Sequence, residues 1–228
     1  MTVNICGMTV KLWQYDRKNN FYGYTARLFI KENAKNMKDQ ILKQINESIE
    51  TKKSLDISAI ENSAKMLAEC LRSGNKILLC GNGGSAADCQ HIAAELVIRF
   101  RSSIVRPALP AIALTCDTSI LTAGGNDIGF DNIFAQQVAA LGTAGDILVG
   151  ISTSGNSANV INAFNVAKEK NMQTIGLLGM TGGKMLALCD ISLVVEHKET
   201  ARIQESHLLI EHIWCDLIER ILFPNSFN

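Results

Sequence analysis

One unit recurs along this chain: a short apolar run, then a loop rich in glycine or serine, then a helical stretch. The apolar runs span residues 76–80, 111–114, 146–151, 174–178 and 191–195. Short strands that alternate with helices form βαβ units, whose parallel sheet is covered by helices on both faces. Because the crossovers are right-handed, the loops that follow the strands meet at one edge, where such sheets bind ligands. The sequence therefore predicts an α/β three-layer sandwich with a mostly parallel sheet.

Helices are predicted before and after this sheet. Apolar residues recur at the spacing of one helix face over residues 37–50 and 57–72, and a long helix over residues 201–222 ends before Pro224. The two helices before the sheet need a partner for their apolar faces, and another subunit could supply it.

Residues 1–36 do not share this pattern. They mix aromatic residues with Asn and Lys and show no sustained period. We interpret them as an N-terminal appendage, disordered or arising from an over-called start codon, with a genuine docking arm as the alternative. Residues 37–228 are predicted to form a single domain.

The composition limits the classes of function. Lys and Arg total 22, Asp and Glu total 22, and the formal net charge is zero, whereas a general nucleic-acid binder needs a surplus of basic residues. The seven cysteines are scattered without a CxxC pair, which is typical of a protein of the reducing cytosol. No apolar run approaches the roughly 18 residues that suggest a membrane span, and no signal-peptide pattern is present. We therefore expect a cytoplasmic protein without nucleic-acid or membrane partners, and no catalytic cysteine.

The first strand is followed by the loop Gly-Asn-Gly-Gly-Ser-Ala at residues 81–86. Glycines let the backbone approach a ligand closely, and the helix that follows offers unpaired N–H groups. The loop also matches GxGxxA, but a dinucleotide site needs an acidic residue about 20 positions further on, and residues 101–107 contain none. A plain tight turn is the other alternative.

A second loop, Ser-Thr-Ser-Gly-Asn-Ser at residues 152–157, also lies between an apolar strand and a helix. Its four hydroxyls and the helix N-terminal amides can coordinate a phosphate without any cation. Capping of the helix would need one hydroxyl rather than four. The pattern therefore favours a phosphate site over a simple cap.

These two strand–loop–helix units together resemble a sugar isomerase (SIS) domain, and the resemblance extends over residues 37–224. Within that superfamily the chain is similar to the phosphoheptose isomerases. The closer match is carried by His91, Glu95, the Gly-Asn-Asp segment at 125–127, the Thr-Ala-Arg-Ile-Gln segment at 200–204, and His212. The resemblance implies a homotetramer that converts sedoheptulose 7-phosphate to D-glycero-D-manno-heptose 7-phosphate, a step in the synthesis of a bacterial lipopolysaccharide precursor.

Two predicted helices carry metal-binding residue types. His91 and Glu95 lie four residues apart and face one direction, and Gln204 and His212 lie eight apart, about 80° around the helix axis. Two imidazoles and two oxygen ligands suit zinc, although His–Glu pairs four residues apart are often surface contacts. The resemblance implies one zinc ion per subunit, held by these four residues, with Asp88 orienting His91.

The resemblance also implies catalytic roles. An aldose–ketose isomerisation through an enediol needs a base at carbon and an acid at oxygen, and the family's base and acid fall on Glu95 and His212. Zinc would polarise or orient the substrate. The implied substrate-binding set is Asn82, Gly83, Gly84, Ser85, Glu95, Asn126, Asp127, Ser152, Thr153, Ser154, Ser157 and Gln204.

Two alternatives come from the same superfamily. Residues 81–87, 109–114 and 222–224 also resemble a tetrameric, non-catalytic SIS scaffold that binds the bacterial replication initiator. A SIS regulatory domain that senses a sugar phosphate is the second alternative, but no DNA-binding segment accompanies it. Glu95 and His212 favour the enzyme. His207 has no matched role, and we expect it to be a structural or surface residue.

Overall fold

A computed structural model describes residues 2–5, 8–11 and 22–227, with side chains described from residue 36 onward. The chain divides into two compact units, Met1–Asn46 and Glu47–Asn228. The first unit contains an antiparallel hairpin of β1 (Thr2–Ile5) and β2 (Met8–Lys11). Helix α1 (Tyr22–Lys53) begins well before Met37, where the apolar period starts. The rest of the prediction for residues 1–36 lies outside the described residues.

The second unit contains the repeated strand–helix pattern. Its strands and helices, in chain order, are α2 (Ile57–Arg72), β3 (Ile77–Gly81), α3 (Gly84–Val97), β4 (Ala111–Ala113), α4 (Thr118–Asp127), α5 (Ile133–Leu141), β5 (Ile147–Ser152), α6 (Ala158–Glu169), β6 (Gln173–Gly179), β7 (Ile191–Val195) and α7 (Thr200–Leu222). Short 3-10 helices span Phe130–Asn132, Gly183–Leu188 and Pro224–Phe227.

The five strands β3–β7 form one sheet in the order β4-β3-β5-β6-β7, and every neighbouring pair is parallel. This confirms the predicted sheet. From β3 the chain moves to β4 on one side, and it later returns to β5 on the other side. The strand order therefore reverses between β3 and β5, and the crevice beyond the carboxyl ends of two such strands is where open α/β sheets bind ligands.

Helices cover both faces of the sheet and complete the three-layer sandwich. On one face, α2, α3 and α7 pack on alternate strand residues such as Leu79 and Val149. On the other face, α5 and α6 pack on residues such as Leu78 and Leu148. This alternation follows from the period of two along each strand.

The two helices before the sheet have different surroundings. The apolar face of α2 is buried in the same subunit, and Trp214 of α7 donates from Nε1 to Oγ of Ser63 at 2.8 Å. The expectation that α2 needs a second subunit is therefore wrong, because α7 covers it. The apolar face of α1 is exposed, at Met37, Ile41, Leu42, Ile45 and Ile49.

Helices α4 and α5 occupy a stretch for which the sequence pattern predicted no element. All residues of α4 are at least partly exposed, so it has no apolar stripe to signal it. Among the helices in the described part of the chain, none is both long enough and apolar enough to cross a membrane.

Candidate functional site

The two loops singled out from the sequence leave the sheet side by side. Gly81 at the end of β3 is paired in register with Ile151 near the end of β5. The Gly-rich loop and the serine loop (residues 152–157) therefore both begin at the carboxyl edge, on either side of the point where the strand order reverses. The predicted shared site at this edge is thus supported by the topology.

Helices α3 and α6, which follow these loops, have no side-chain cap, unlike α2 and α4. Asp56 accepts a hydrogen bond from the N–H of Ala59 at 3.0 Å, and Asp117 accepts from Ile120 at 2.9 Å. Amides of a first turn lack partners within their own helix and favour anions. The two helix N-termini at the loops therefore remain available for a phosphate.

The hydroxyls of the serine loop make hydrogen bonds within the loop. Oγ of buried Ser152 lies 2.9 Å from Oγ of Ser157, which occupies the N-cap position of α6 but makes no capping hydrogen bond. Ser154 accepts from the N–H of Asn156 at 3.2 Å through its Oγ. No hydroxyl of the loop caps α6, so the capping alternative is not supported. These hydroxyls can therefore still donate to a ligand or accept from it.

The serine loop is held by the turn that follows β6. Gly155 has φ +64, and a Cβ there would overlap the carbonyl of Gly182. The N–H of Met185 donates to the Gly155 carbonyl at 3.0 Å, and that of Lys184 donates to Oδ1 of Asn156 at 3.1 Å. Only glycine fits this conformation and this close approach. The loop is therefore preorganised before any ligand binds.

A pair of amides links the Gly-rich loop to α6. Asn82 and Asn159 exchange two hydrogen bonds of 2.9 Å, from each Nδ2 to the other Oδ1. Asn159 is buried, and sequence reasoning did not identify it. Because these bonds occupy one donor and the oxygen of Asn82, its side chain positions the loop as well as offering a remaining N–H to a sugar.

The predicted catalytic residues meet where α3 packs against α7. Nε2 of His91 lies 2.8 Å from Nε2 of His212, and the two rings are edge-on, with centroids 5.1 Å apart. Oε1 of Glu95 lies 3.7 Å from the same His91 nitrogen. The structure therefore brings His91, Glu95 and His212 together, and all three side chains are partly open to solvent.

Gln204 lies at the other end of this contact between helices. A Cβ on Gly84, the first residue of α3, would meet three atoms of the Gln204 amide before any others. Gly84 and His91 are about 10 Å apart along the helix axis, at 1.5 Å per residue. The structure therefore places the Gln204 amide against the Gly-rich loop, beside the predicted substrate.

Asn126 and Asp127 lie at the end of α4, where both are exposed. Nδ2 of Asn126 donates to Oδ1 of Asp127 at 2.7 Å. The contacts described for this subunit do not join them to the histidine pair. Their predicted role in binding the sugar remains a prediction.

A second carboxyl group, that of Asp88, lies near His91, and the carboxyl of Glu211 lies near Asp88. Burial, with a smaller contribution from Asp88, raises the pKa of Glu211 to about 8. Burial also raises the pKa of Asp88, and nearby His91 partly offsets that rise. Within the described residues, Oδ2 of Asp88 and both oxygens of Glu211 have no hydrogen-bond partner. Oδ2 of Asp88 therefore makes no hydrogen bond to His91 in the described residues, and the orienting role of Asp88 stays a prediction. Glu211 was not predicted at all.

The donors that converge here fit a zinc ion by chemistry. Two imidazoles and one carboxylate match the nitrogen and oxygen ligands of catalytic zinc sites. At 2.8 Å the two imidazole nitrogens are hydrogen-bonded to each other, so the rings would have to move apart for both to bind one zinc ion. Among residues 36–227, no three His, Cys, Asp or Glu side chains are arranged so that they could hold a metal ion without moving.

His207 lies outside this site, as expected. It is fully buried, and its Nε2 lies 3.0 Å from the carbonyl of Leu178. Burial lowers its pKa to about 4, although the hydrogen bond to Leu178 opposes the shift. The six cysteines in the described part of the chain are free, and burial raises the pKa of Cys80, Cys89 and Cys215. Raised thiol pKa values are those of inert, structural cysteines.

The chain is similar to known proteins in sequence and in structure. A family model for the SIS domain matches residues 40–179. The phosphoheptose isomerase of Sulfurimonas denitrificans is 51% identical over 197 residues, which cover 84% of this chain and 100% of that protein. The structure of the phosphoheptose isomerase from Neisseria gonorrhoeae is 48% identical, with a TM-score of 0.74, and covers 80% of this chain and 99% of that one. The structure of a phosphoheptose isomerase from Francisella tularensis is 42% identical, with a TM-score of 0.76, covering 82% and 98%.

Proposed function

This chain belongs to the phosphoheptose isomerase family of SIS-domain proteins and is an isomerase, and on that premise we propose that it converts sedoheptulose 7-phosphate to D-glycero-D-manno-heptose 7-phosphate. The product is a precursor of bacterial lipopolysaccharide heptose. The main support for this proposal is that Glu95 and His212 lie close together. Both are within 4 Å of one atom, Nε2 of His91, and both lie on helices that extend from the carboxyl edge of the sheet.

The phosphate of the substrate is assigned to the serine loop and the uncapped N-terminus of α6. Hydroxyl donors and helix N-terminal amides bind a dianion through several hydrogen bonds at once. The Gly-rich loop and the Gln204 amide would then hold the sugar hydroxyls. Substrate binding is in this way separated from the acid–base pair, so a change in one should leave the other largely intact.

The isomerisation moves one proton between two carbons. In the proposed reaction Glu95 removes a proton from C1 of the ketose, and His212 delivers a proton to the oxygen at C2, which gives the enediol. Glu95 then returns a proton to C2, while His212 takes the proton from the hydroxyl at C1, which becomes the aldehyde. A carboxylate and an imidazole that share one neighbour suit this exchange, because each alternates between its two protonation states.

Zinc is proposed as the cofactor, bound by His91, Glu95 and His212. The family implies Gln204 as the fourth residue, but its amide lies against Gly84 in this structure and would have to move to join the other three. When bound, the ion would polarise or orient the substrate's oxygens. His91→Ala should lower the zinc content measured by elemental analysis, whereas His197→Ala, which changes a half-buried histidine in the loop after β7 that is not in the proposed ligand set, should not. An unchanged zinc content in His91→Ala would remove His91 from the ligand set.

A homotetramer is proposed as the assembly. The apolar face of α1 is exposed along Met37, Ile41, Leu42, Ile45 and Ile49, with exposed fractions from 44% to 62%, and stripes of this kind mark protein–protein contacts. Exposed Asn126 and Asp127 would then reach the sugar of a neighbouring subunit. Light scattering at micromolar concentration tests the assembly, and a monomeric mass would contradict it. The predicted cytosolic location stays a prediction.

The proposed reaction is tested by incubating the purified, zinc-replete protein with sedoheptulose 7-phosphate and identifying the product by NMR. Glu95→Gln keeps the shape but removes the base, and loss of a positioned base typically lowers the rate about 10²–10⁴-fold. Glu61→Gln, on the exposed surface of α2, is the matched control and should retain wild-type turnover. Absence of turnover in the wild type would favour the non-catalytic scaffold, which the comparisons do not support.

A further inference from the structure

The end of α3, which carries Glu95, is held by an arginine that lies eleven residues further along the chain. Nη2 of Arg106 donates to the carbonyl of Glu95 at 2.8 Å, and Nη1 donates to the carbonyl of Leu96 at 2.8 Å. These carbonyls belong to the last turn of the helix, where they lack partners within the helix and attract a cation. The guanidinium of Arg106 therefore fixes the backbone of the proposed base.

The same guanidinium is joined to α7, which carries His212. Nε of Arg106 lies 2.8 Å from Oε1 of Glu219, and both side chains are 0% exposed. Glu219 follows His212 by seven residues, which is two helical turns, so the two side chains lie on the same face of α7. A fully buried ion pair thus connects α7, which carries the proposed acid, to the arginine that binds the end of α3, which carries the proposed base.

Glu219 also reaches His212 by a second route. Its Oε1 accepts a hydrogen bond from the backbone N–H of Phe100 at 3.3 Å. The ring of Phe100 packs against the imidazole of His212, with centroids 5.7 Å apart. One carboxylate therefore holds both the arginine that caps the Glu95 turn and the aromatic ring that supports His212.

We propose that the buried Arg106–Glu219 ion pair is a positioning device that sets the geometry of Glu95 relative to His212. The proposal rests on the proposed function, because it assigns Arg106 and Glu219 to the same reaction without contact to the substrate. A buried ion pair is weak support for stability, since replacement of both partners by apolar residues is often neutral, whereas removal of one partner is costly. Its place between the two catalytic helices supplies a different reason for its presence.

The experiment therefore removes both charges together. Arg106→Met/Glu219→Leu fills a similar volume without an unpaired buried charge, and its melting temperature should stay near that of the wild type. We expect kcat for sedoheptulose 7-phosphate to fall by about 10²-fold, the effect of a misplacement of about 1 Å at the reacting groups. KM should change little, because the serine loop is not touched.

The matched control removes a second ion pair, which also joins the loop after α3 to α7 but does not bind the carbonyls of α3. Nε of Arg101 donates to Oδ1 of Asp216 on α7 at 2.9 Å, and this pair is partly exposed. Arg101→Met/Asp216→Leu should keep kcat near the wild-type value, because a methionine at position 101 can keep the packing on the ring of Phe100 while the charges are lost. Arg106→Lys, which can pair with Glu219 but cannot donate to both carbonyls as well, should fold and still lose kcat. If the double variant fails to fold, the kcat of Arg106→Lys decides whether Arg106 positions Glu95.

A spectroscopic readout separates this proposal from the proposed function. The ¹⁵N signals of the His91 and His212 rings report their 2.8 Å contact whether or not the protein turns over the substrate. They should shift in Arg106→Met/Glu219→Leu and not in the Arg101 control. Wild-type kcat together with unshifted ring signals in a folded double variant would overturn the positioning role. An inactive wild type would instead refute the proposed substrate, and the ring signals alone would then decide.

Discussion

Gly84→Ala should separate the proposed substrate-binding role of Gln204 from the stability of the fold. Gly84 is the first residue of α3, and its backbone is not in the left-handed region, so alanine brings no backbone strain. The three atoms nearest to an added Cβ all belong to the Gln204 amide, and the Cβ would overlap its Nε2. The end of a flexible side chain moves at little cost, and alanine favours a helix over glycine by up to about 1 kcal/mol. The melting temperature should therefore change by only a few degrees.

The effect on activity should be much larger. Ordinary contact of a Cβ begins at 3.4 Å, so the amide must move by roughly 1 Å, a displacement that can cost about 10²-fold in rate. We expect kcat/KM for sedoheptulose 7-phosphate to fall about 10- to 100-fold, or roughly 1.4–2.7 kcal/mol of transition-state stabilisation. Steady-state kinetics and a thermal melt on the same preparation measure the two effects.

Two controls test whether the loss of kcat/KM in Gly84→Ala comes from displacement of the Gln204 amide. Asn62→Ala, at an exposed position of α2, also replaces a poorer helix former by alanine but lies outside the proposed site, and it should leave kcat/KM unchanged. A double-mutant cycle with Gln204→Ala tests whether the methyl group acts through the amide. If it does, Gly84→Ala should add nothing to the effect of Gln204→Ala. A folded Gly84→Ala protein with wild-type kcat/KM would refute the placement of Gln204 in the site.

Two further predictions concern stability and the first loop. Because the pKa of His207 is lowered to about 4 in the folded protein, only the unfolded chain takes up its proton between pH 6.5 and 4, so stability should fall as the pH is lowered through that range. The free energy of unfolding should fall by about 3 kcal/mol in all, at about 1.4 kcal/mol per pH unit. Denaturant melts should show this loss in the wild type but not in His207→Gln. Parallel pH curves for the two proteins would contradict the prediction. Asn159→Leu removes both bonds to Asn82. It should raise KM about tenfold with little change in kcat, since two neutral hydrogen bonds are worth about 1–3 kcal/mol. An unchanged KM would show that the loop does not need the amide pair.

The parts of the fold that could be predicted are those whose apolar pattern is local. Helix α2 and strand β7 have the bounds that the sequence predicts, because α2 has an apolar stripe and β7 is a short apolar run between polar segments. Helix α4 could not be predicted, since all its residues are at least partly exposed and it contains two glycines. The order of the strands also could not be predicted, because it depends on which crossover packs on which face.

The same distinction applies to the site. The two loops could be found because glycines and hydroxyls cluster in sequence, and their neighbouring positions follow from a parallel sheet. Arg106 could not be found, since it lies in a segment with other arginines, and its burial depends on Glu219, 113 residues away. Asn159 was missed for a similar reason, because its partner lies 77 residues before it. Positioning residues of this kind are defined by tertiary contacts rather than by local spacing.

The central claim is that Glu95 moves a carbon-bound proton, and solvent deuterium incorporation tests it most directly. The wild type, incubated with sedoheptulose 7-phosphate in ²H₂O, should place deuterium at C2 of the aldose product, because the abstracted proton exchanges with solvent before it returns. Glu95→Gln should suppress both turnover and deuterium incorporation, as NMR of the product would show. If Glu95→Gln incorporates deuterium at the wild-type rate, Glu95 is not the base, and the mechanism proposed for this isomerase is wrong.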